Sequence, residues 1–158
     1  MTAGGEVDEE AELFRRLYPS LRRLAAVVRP PEIDADDLVQ EAVARTLERH
    51  RLVDVHDPGA YLRRSIVNLA SNHRRRFVHA RDAQAARGPA SGRPDSYPSD
   101  AADLLRLGVA DRAVLFLVHI EGCSYEEAGA ILGCRAEAAR QRAGRARRRL
   151  RELMEDDL

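Results

Sequence analysis

The chain of 158 residues has no lysine and no tryptophan, few aromatic side chains and only two cysteines. Each shortage excludes something. Cys123 and Cys134 form neither a CxxC pair nor a four-ligand set, so a zinc site and a disulfide framework are both unexpected. A reduced, cytoplasmic setting fits best, and Cys134 reads as a buried structural thiol. His50, His56, His73, His79 and His119 make no metal-ligand pattern with the acids or cysteines. No apolar run approaches the length of a membrane span, so no membrane insertion is expected. The first residues, MTAGGEVDEEAE, are acidic and have no apolar centre, unlike a signal peptide. A phosphate-cradling glycine loop and a nucleophile elbow are both absent. Asp36 and Asp37 are adjacent on a helix and point about 100° apart, which argues against paired catalytic carboxylates. The chain is not expected to be an enzyme, and no cofactor is expected.

What is present is arginine, in blocks. The formal net charge is zero, with 26 basic and 26 acidic residues. Residues 1–57 sum to −5, 58–93 to +7, 94–134 to −5 and 135–151 to +7, and the last seven residues carry four acids. Two separated cationic blocks are the electrostatic footprint of two nucleic-acid contacts. Arginine offers a planar fork suited to phosphate and guanine.

The apolar periodicity is helical throughout, with no strand-period segment. Residues 1–11 read as a disordered acidic tail. Leu13, Leu17, Leu21, Leu24 and Val28 mark a first helix, which Pro19 should kink or restart and Pro30 and Pro31 should end. Asp34 is placed to cap a second helix running to about His50, with Leu38, Val39, Ala42, Val43 and Leu47 as its buried stripe. Asp57-Pro58 opens a third helix. Its Leu62, Ile66 and Leu69 point inward, with His73 at the end of that stripe, while Arg64, Asn68, Ser71 and Arg75 share a polar face. The run QAARGPASGRPDSYP, Gln84 to Pro98, reads as a linker. A short helix from Asp103 to Leu107 and a longer one from Asp111 to Glu121 follow, the latter stopped at Gly122.

The C-terminal third carries a helix-turn-helix. Ser124-Tyr-Glu-Glu127 is a capping box. The short helix YEEAGAIL breaks at Gly133, and a long helix runs from about Ala136 to Met154. On that helix Ala139, Ala143, Ala146, Leu150 and Leu153 fall on one buried seam. Glu137, Gln141, Gly144 and Arg148 face outward, with Arg140, Arg147 and Arg151 on one flank and Arg145 on the other. Entering the major groove, the helix would bring Arg135, Glu137, Arg140, Gln141 and Arg145 near base edges and Arg147, Arg148 and Arg151 near phosphates. The expected fold is all-α: two small helical domains joined by a flexible linker, the C-terminal one a helix-turn-helix. The expected boundaries are 12–82, a linker 83–102, and 103–158.

Together these motifs resemble extracytoplasmic-function, group IV, sigma factors of bacterial RNA polymerase. DADDLVQEAVARTLER (Asp34–Arg49) resembles that family's core-polymerase-binding helix. DPGAYLRRSIVNLASNHRRR (Asp57–Arg76) resembles its promoter −10 segment, and Asp111–Leu153 its −35-reading unit. The resemblance implies that Asp36, Asp37, Leu38, Gln40 and Glu41 dock on core polymerase. It implies that Arg64, Asn68, Ser71, Asn72, Arg74, Arg75 and Arg76 hold the −10 region, with the loop from Arg51 to His56 capturing a flipped base. It implies −35 contacts through Arg135, Glu137, Arg140, Gln141, Arg142, Arg145, Arg147 and Arg148, although the helical wheel puts Arg142 near the buried edge. The −10 segment has only Tyr61 and Phe77 for stacking on splayed bases. The implied partners are core RNA polymerase, promoter DNA and an anti-sigma factor that covers the polymerase-binding helix and wedges between the domains. A stand-alone helix-turn-helix regulator and a sigma-like adaptor protein are the alternatives.

Overall fold

The structure is a computed structural model and describes residues 3–86 and 104–156. It is all-helical, with no strand among the described residues. Helix α1 spans Ala3–Val28, α2 Ala35–Leu47 and α3 Pro58–Ala85, with a 3-10 turn at Leu52–Asp54. After a helical turn at 104–106 come α4, Val109–Leu115, a π-helical turn at Phe116–Ile120, α5, Tyr125–Leu132, and α6, Ala136–Asp156. The expected linker falls mostly on 87–103, outside the described residues, and α3 overruns the expected domain end at 82 to reach Ala85.

The first helix corrects one expectation and narrows another. It begins at Ala3, inside the segment expected to be a disordered tail. The reason is tertiary. Glu10 accepts a hydrogen bond from the Leu52 amide at 2.6 Å, and Glu6 lies 3.6 Å from Arg51. Pro19 sits inside the helix without ending it. An interior proline costs about 3 kcal/mol, and burial on its C-terminal side offsets that: Leu21, Leu24, Ala25 and Val28 are almost wholly buried. Each buried leucine or valine contributes roughly 1.5–3 kcal/mol.

The other helix starts follow their caps. Asp34 accepts from the Asp36 amide at 2.8 Å, and Asp57 from the Ala60 amide at 3.0 Å, with Pro58 at the first helical position. On α2 the buried stripe is Ala35, Leu38, Val39, Ala42 and Thr46. Leu47 lies outside it and is exposed; the polar Thr46 takes the inward position because its hydroxyl donates to the Ala42 carbonyl at 2.8 Å. In the C-terminal unit both halves of the capping box are formed, Ser124 with Glu127. Gly133, at φ +74°, makes the left-handed turn into α6 that a side chain would strain. The helix expected from Asp111 begins two residues earlier, at Val109, and its second half is a π turn held by Glu121 N–H to Phe116 O at 3.0 Å.

The two units are packed on each other. One apolar cluster contains Leu24, Val28, Leu62 and Ile66 from the N-terminal unit and Val109, Ala113, Leu117 and Ile131 from the C-terminal one. Ala139 and Ala143 of α6 close a smaller cluster with Val114.

Two helical glycines make a test of this packing. A Cβ at Gly129 would lie 2.6 Å from the Cys134 carbonyl oxygen, whereas one at Gly144 would meet nothing within 4 Å. Gly129→Ala should therefore destabilise the chain by about 2 kcal/mol or more, in the range of overpacked sites. Gly144→Ala should stabilise it by up to about 1 kcal/mol through helix propensity. Urea unfolding midpoints of the two variants should move in opposite directions.

Candidate nucleic-acid and polymerase interfaces

The expected polymerase-binding residues divide into two kinds. Asp37 and Gln40 are exposed on the outer face of α2. Leu38 is wholly buried in the core, which corrects its expected role: it supports the helix from beneath and has no surface to offer a partner. Asp36 and Glu41 lie between. The Tyr18 hydroxyl donates to Asp36 Oδ1, and Arg22 Nε donates to the same oxygen at 3.0 Å. The tyrosine hydrogen bond, helped by the arginine, holds the Asp36 carboxyl below its ordinary value of 3.8 and pushes the Tyr18 phenol up. Glu41 lies 2.7 Å from His73 Nε2 and 2.8 Å from Arg45 Nη2. Partial burial pushes its carboxyl up, but the His73 hydrogen bond and charge and the Arg45 charge outweigh that, and its pKa falls below the ordinary range. The two acids thus tie α2 to α1 and to α3 and fix the face that carries Asp37 and Gln40.

On α3, Arg64, Asn68, Asn72, Arg75 and Arg76 are exposed and Ser71 and Arg74 are half-buried. Ser71 Oγ donates to the Val67 carbonyl at 3.0 Å, and Arg74 Nη1 donates to the Leu107 carbonyl at 3.1 Å. Arg74 is therefore engaged with the C-terminal unit. Arg64 is near it too: a Cβ at Gly133 would lie 3.3 Å from Arg64 Nη2. Ser71, Arg74, Arg75 and His79 line a cavity of about 380 Å³ together with Asp111 and Arg142. Arg45, Thr46, Glu48, Arg49, Tyr61 and Ser65 line another of about 460 Å³. Tyr61 is 39 % exposed and stands edge-on to His50 with ring centroids 6.1 Å apart. The Tyr61 ring, the Ser65 hydroxyl and the guanidinium groups of Arg45 and Arg49 are suited to a base and its phosphate, although Glu48 in the same lining opposes a phosphate next to it. Arg49 closes the Asp34–Arg49 motif, and Tyr61 and Ser65 lie within the Asp57–Arg76 motif; what was not legible beforehand is that they meet in space.

Arg135, just before α6, and Glu137, Arg140, Gln141, Arg145, Arg147 and Arg148 on it are all exposed, and Ala139, Ala143 and Ala146 form the buried seam. Glu137 accepts from Arg140 at 2.6 and 3.0 Å and from Gln141 at 3.3 Å. The Arg140 hydrogen bonds hold the Glu137 carboxyl low. Arg142 is turned inward and donates to Asp111 at 3.0 Å, so it steadies α6 on α4.

One functional arginine escaped the sequence reading. Arg112 is 2 % exposed and has no carboxylate partner among the described residues. Its Nη1 donates to the Leu107 carbonyl at 3.3 Å and to those of Leu104 and Leu105 at 3.4 Å; its Nη2 donates to Val28 O at 3.0 Å. Burial, then the neighbouring Arg74, lowers its pKa to about 10, so it stays charged at neutral pH. It closes the end of α1 and the start of α4 at once. The only signal was an arginine inside the apolar run surrounding it.

No helix among the described residues is long and apolar enough to cross a membrane, and no cluster of three or more His, Cys, Asp or Glu could hold a metal.

The Asp36 contacts predict a pH effect. A carboxyl whose folded pKa lies below 3.8 adds stability that is present above that value and is lost as pH falls through the folded pKa. The urea midpoint of the chain should fall between about pH 5 and about pH 3, and Asp36→Asn should make that fall shallower. An unchanged acid limb in the variant would show that other carboxylates carry it.

Comparison with known proteins assigns the family. Sigma-70 region 2 matches residues 13–78, and Sigma-70, region 4 matches residues 104–150. The RNA polymerase sigma-E factor of Streptomyces coelicolor is 34% identical over 154 residues, covering 94% of this chain and 87% of its own. The ECF RNA polymerase sigma factor EcfG of Rhodopseudomonas palustris is 34% identical, covering 86% of this chain and 80% of its own. Among solved structures, the sigma factor RpoE of Bartonella quintana, in complex with the anti-sigma factor NepR, superposes with a TM-score of 0.68 at 26% identity. That match covers 94% of this chain and 98% of that one. CnrH in complex with the cytosolic domain of CnrY gives 0.66 at 30%, over 99% and 94%. With both regions present in order and relatives of this similarity along almost its whole length, the chain belongs to the extracytoplasmic-function family of RNA polymerase sigma factors.

Proposed function

We propose that the chain is the promoter-specificity subunit of a bacterial RNA polymerase: it binds core enzyme in the cytoplasm, recognises promoter DNA and directs transcription initiation. It acts by recognition and catalyses nothing itself. The observation that carries this is the pairing of two exposed arginine faces, on α3 and on α6, with the two sigma regions that match those same stretches.

Each element has a part. Asp37 and Gln40 on the free face of α2 meet core polymerase, with Asp36 and Glu41 positioning that face. Asn68, Asn72, Arg75 and Arg76 of α3 hold the −10 region, joined by Arg64, Ser71 and Arg74 once the C-terminal unit moves away. The cavity beside Tyr61 takes a base extruded from the stack. The boundaries follow the described units, residues 3–86 for −10 and polymerase binding and 104–156 for −35 binding. On α6 the N-terminal Arg135, Glu137, Arg140, Gln141 and Arg145 lie nearest the base edges, and Arg147 and Arg148 take phosphates. An anti-sigma factor is a partner of the free chain; support comes from the two solved relatives, both bound to one or to a partner's cytosolic domain.

The test is run-off transcription with purified core polymerase. Transcripts should depend on added chain, and no stimulation at any promoter would refute the assignment. Arg145→Glu should weaken −35-dependent initiation by roughly tenfold or more, the scale of one bidentate contact. Asp37→Arg should lower affinity for core polymerase while leaving duplex binding by α6 intact.

A further inference from the structure

The cavity of about 380 Å³ where α3 meets the C-terminal unit carries a charge that its own walls do not balance. Arg74 and Arg75 line it from α3 and Arg142 from α6, with His79 beside them. Asp111 is the one acid in the lining. Three guanidinium groups against one carboxylate leave an excess of two positive charges. Glu121, an acid of the C-terminal unit that reaches across the junction, is engaged with Arg23 and Arg63 at the rim of the shared apolar cluster and does not line the cavity.

The arginines also keep donors to spare. A guanidinium has five N–H groups. Arg74 donates through Nη1 to the Leu107 carbonyl at 3.1 Å, and Arg142 through Nη1 to Asp111 at 3.0 Å. Arg75 has no partner among the described residues. Arg74 is pressed by a like charge as well: after burial, it is the second cause of the fall of the Arg112 pKa to about 10. An anion seated beside Arg74 would relieve that repulsion. The remaining wall is apolar, from Val78, Val109 and Ala110. The size is that of a small-molecule site, which runs from roughly 300 to 1,000 Å³. Arginine forks hold phosphate oxygens in pairs, and a phosphate carries the charge that the lining lacks.

We propose that this cavity binds a phosphorylated small molecule of nucleotide size, with its phosphate groups on Arg74, Arg75 and Arg142 and its organic part against Val78 and Val109. The ligand bridges α3 and α6. It occupies two arginines given above to the −10 region, so it competes with the −10 strand. That competition rests on the function proposed above; the binding itself does not.

Isothermal titration calorimetry on the full-length chain, in buffer free of phosphate and sulfate, tests the site with ADP as the probe. One ADP should bind per chain. Inorganic pyrophosphate should bind more weakly, because it has nothing to place on the apolar wall, and adenosine should not bind. Pyrophosphate binding as tightly as ADP would overturn the part given to that wall. Gly108 supplies a variant that keeps the fold. It caps α4 without a side-chain hydrogen bond, its φ is −62°, and a Cβ there would lie 4.0 Å from Arg74 Nη1. Aspartate and asparagine are both better helix caps than glycine. Gly108→Asp sets a carboxylate against the phosphate and should weaken ADP binding by roughly tenfold or more. Gly108→Asn adds the same bulk without the charge and should weaken it by about threefold or less. Asp111→Asn removes the one acid and should tighten binding by about threefold or more. Arg149→Gln, at an exposed position of α6 outside the cavity, should leave the affinity within about twofold. Thermal unfolding establishes that each variant is folded. No heat with ADP or pyrophosphate, adenosine binding as tightly as ADP, or equal losses in Gly108→Asp and Arg149→Gln would overturn the site. Saturating ADP should also weaken binding of a short single-stranded oligonucleotide, read by anisotropy, in the wild type. Undiminished binding would overturn the competition. Failure of the run-off assay without ADP would count against the proposed function and not against the cavity.

Discussion

The shared apolar cluster is the constraint on which everything else rests. With so few aromatic side chains, the chain builds its interior from leucine, isoleucine, valine and alanine. A unit of roughly 50–80 residues buries a small fraction of its surface and is marginal alone. Packing Leu24, Val28 and Ile66 against Ala113, Leu117 and Ile131 lets each unit complete the other's core. Arg112 marks the depth of that junction. Burying its guanidinium costs energy unless its hydrogen bonds are met, and carbonyls from both units meet most of them. Its Nε finds no partner among the described residues.

That arrangement explains how one chain can be neutral overall and still carry two strongly cationic surfaces. Apart from Glu137, which pairs with Arg140 on the outward face of α6, few of the paired acids lie on the arginine faces. Others sit where the units are joined or braced: Asp36 and Glu41 on α2, Glu121 at the rim, Asp111 beneath Arg142. Most of the arginines on α6 and at the exposed end of α3 have no acid partner among the described residues. The charge pattern therefore separates scaffold from interface, and α6 needs only a narrow seam of alanines to lie close against α5.

Helix identities, the caps at Asp34 and Asp57, the capping box at Ser124 and the outward face of α6 were all legible in the sequence, because they depend on local periodicity and short hydrogen bonds. Arg142 is instructive: it belongs to the resembled motif, yet the wheel placed it at the buried edge, and the structure pairs it with Asp111. What stayed illegible was tertiary. Nothing local tells that Glu6 and Glu10 anchor a helix through a segment that reads as a tail, or that Pro19 is carried by the leucines after it. Leu38 is assigned twice, to the buried stripe by periodicity and to the docking set by the resemblance, and the structure sides with the periodicity. Arg112, Glu121 and the cavity beside Tyr61 each depend on residues from two or more elements meeting in space.

The central claim is that two DNA-binding units fold as one body through a common core and part company only when at work. Hydrogen exchange, followed amide by amide in the free chain and again in the assembled holoenzyme, addresses it most directly. The account predicts that residues 21–28 and 112–117 share one high level of protection in the free chain, opening together. In the holoenzyme both segments should lose the protection that comes from their mutual contact. Independent exchange of the two segments in the free chain, with no change on assembly, would contradict it.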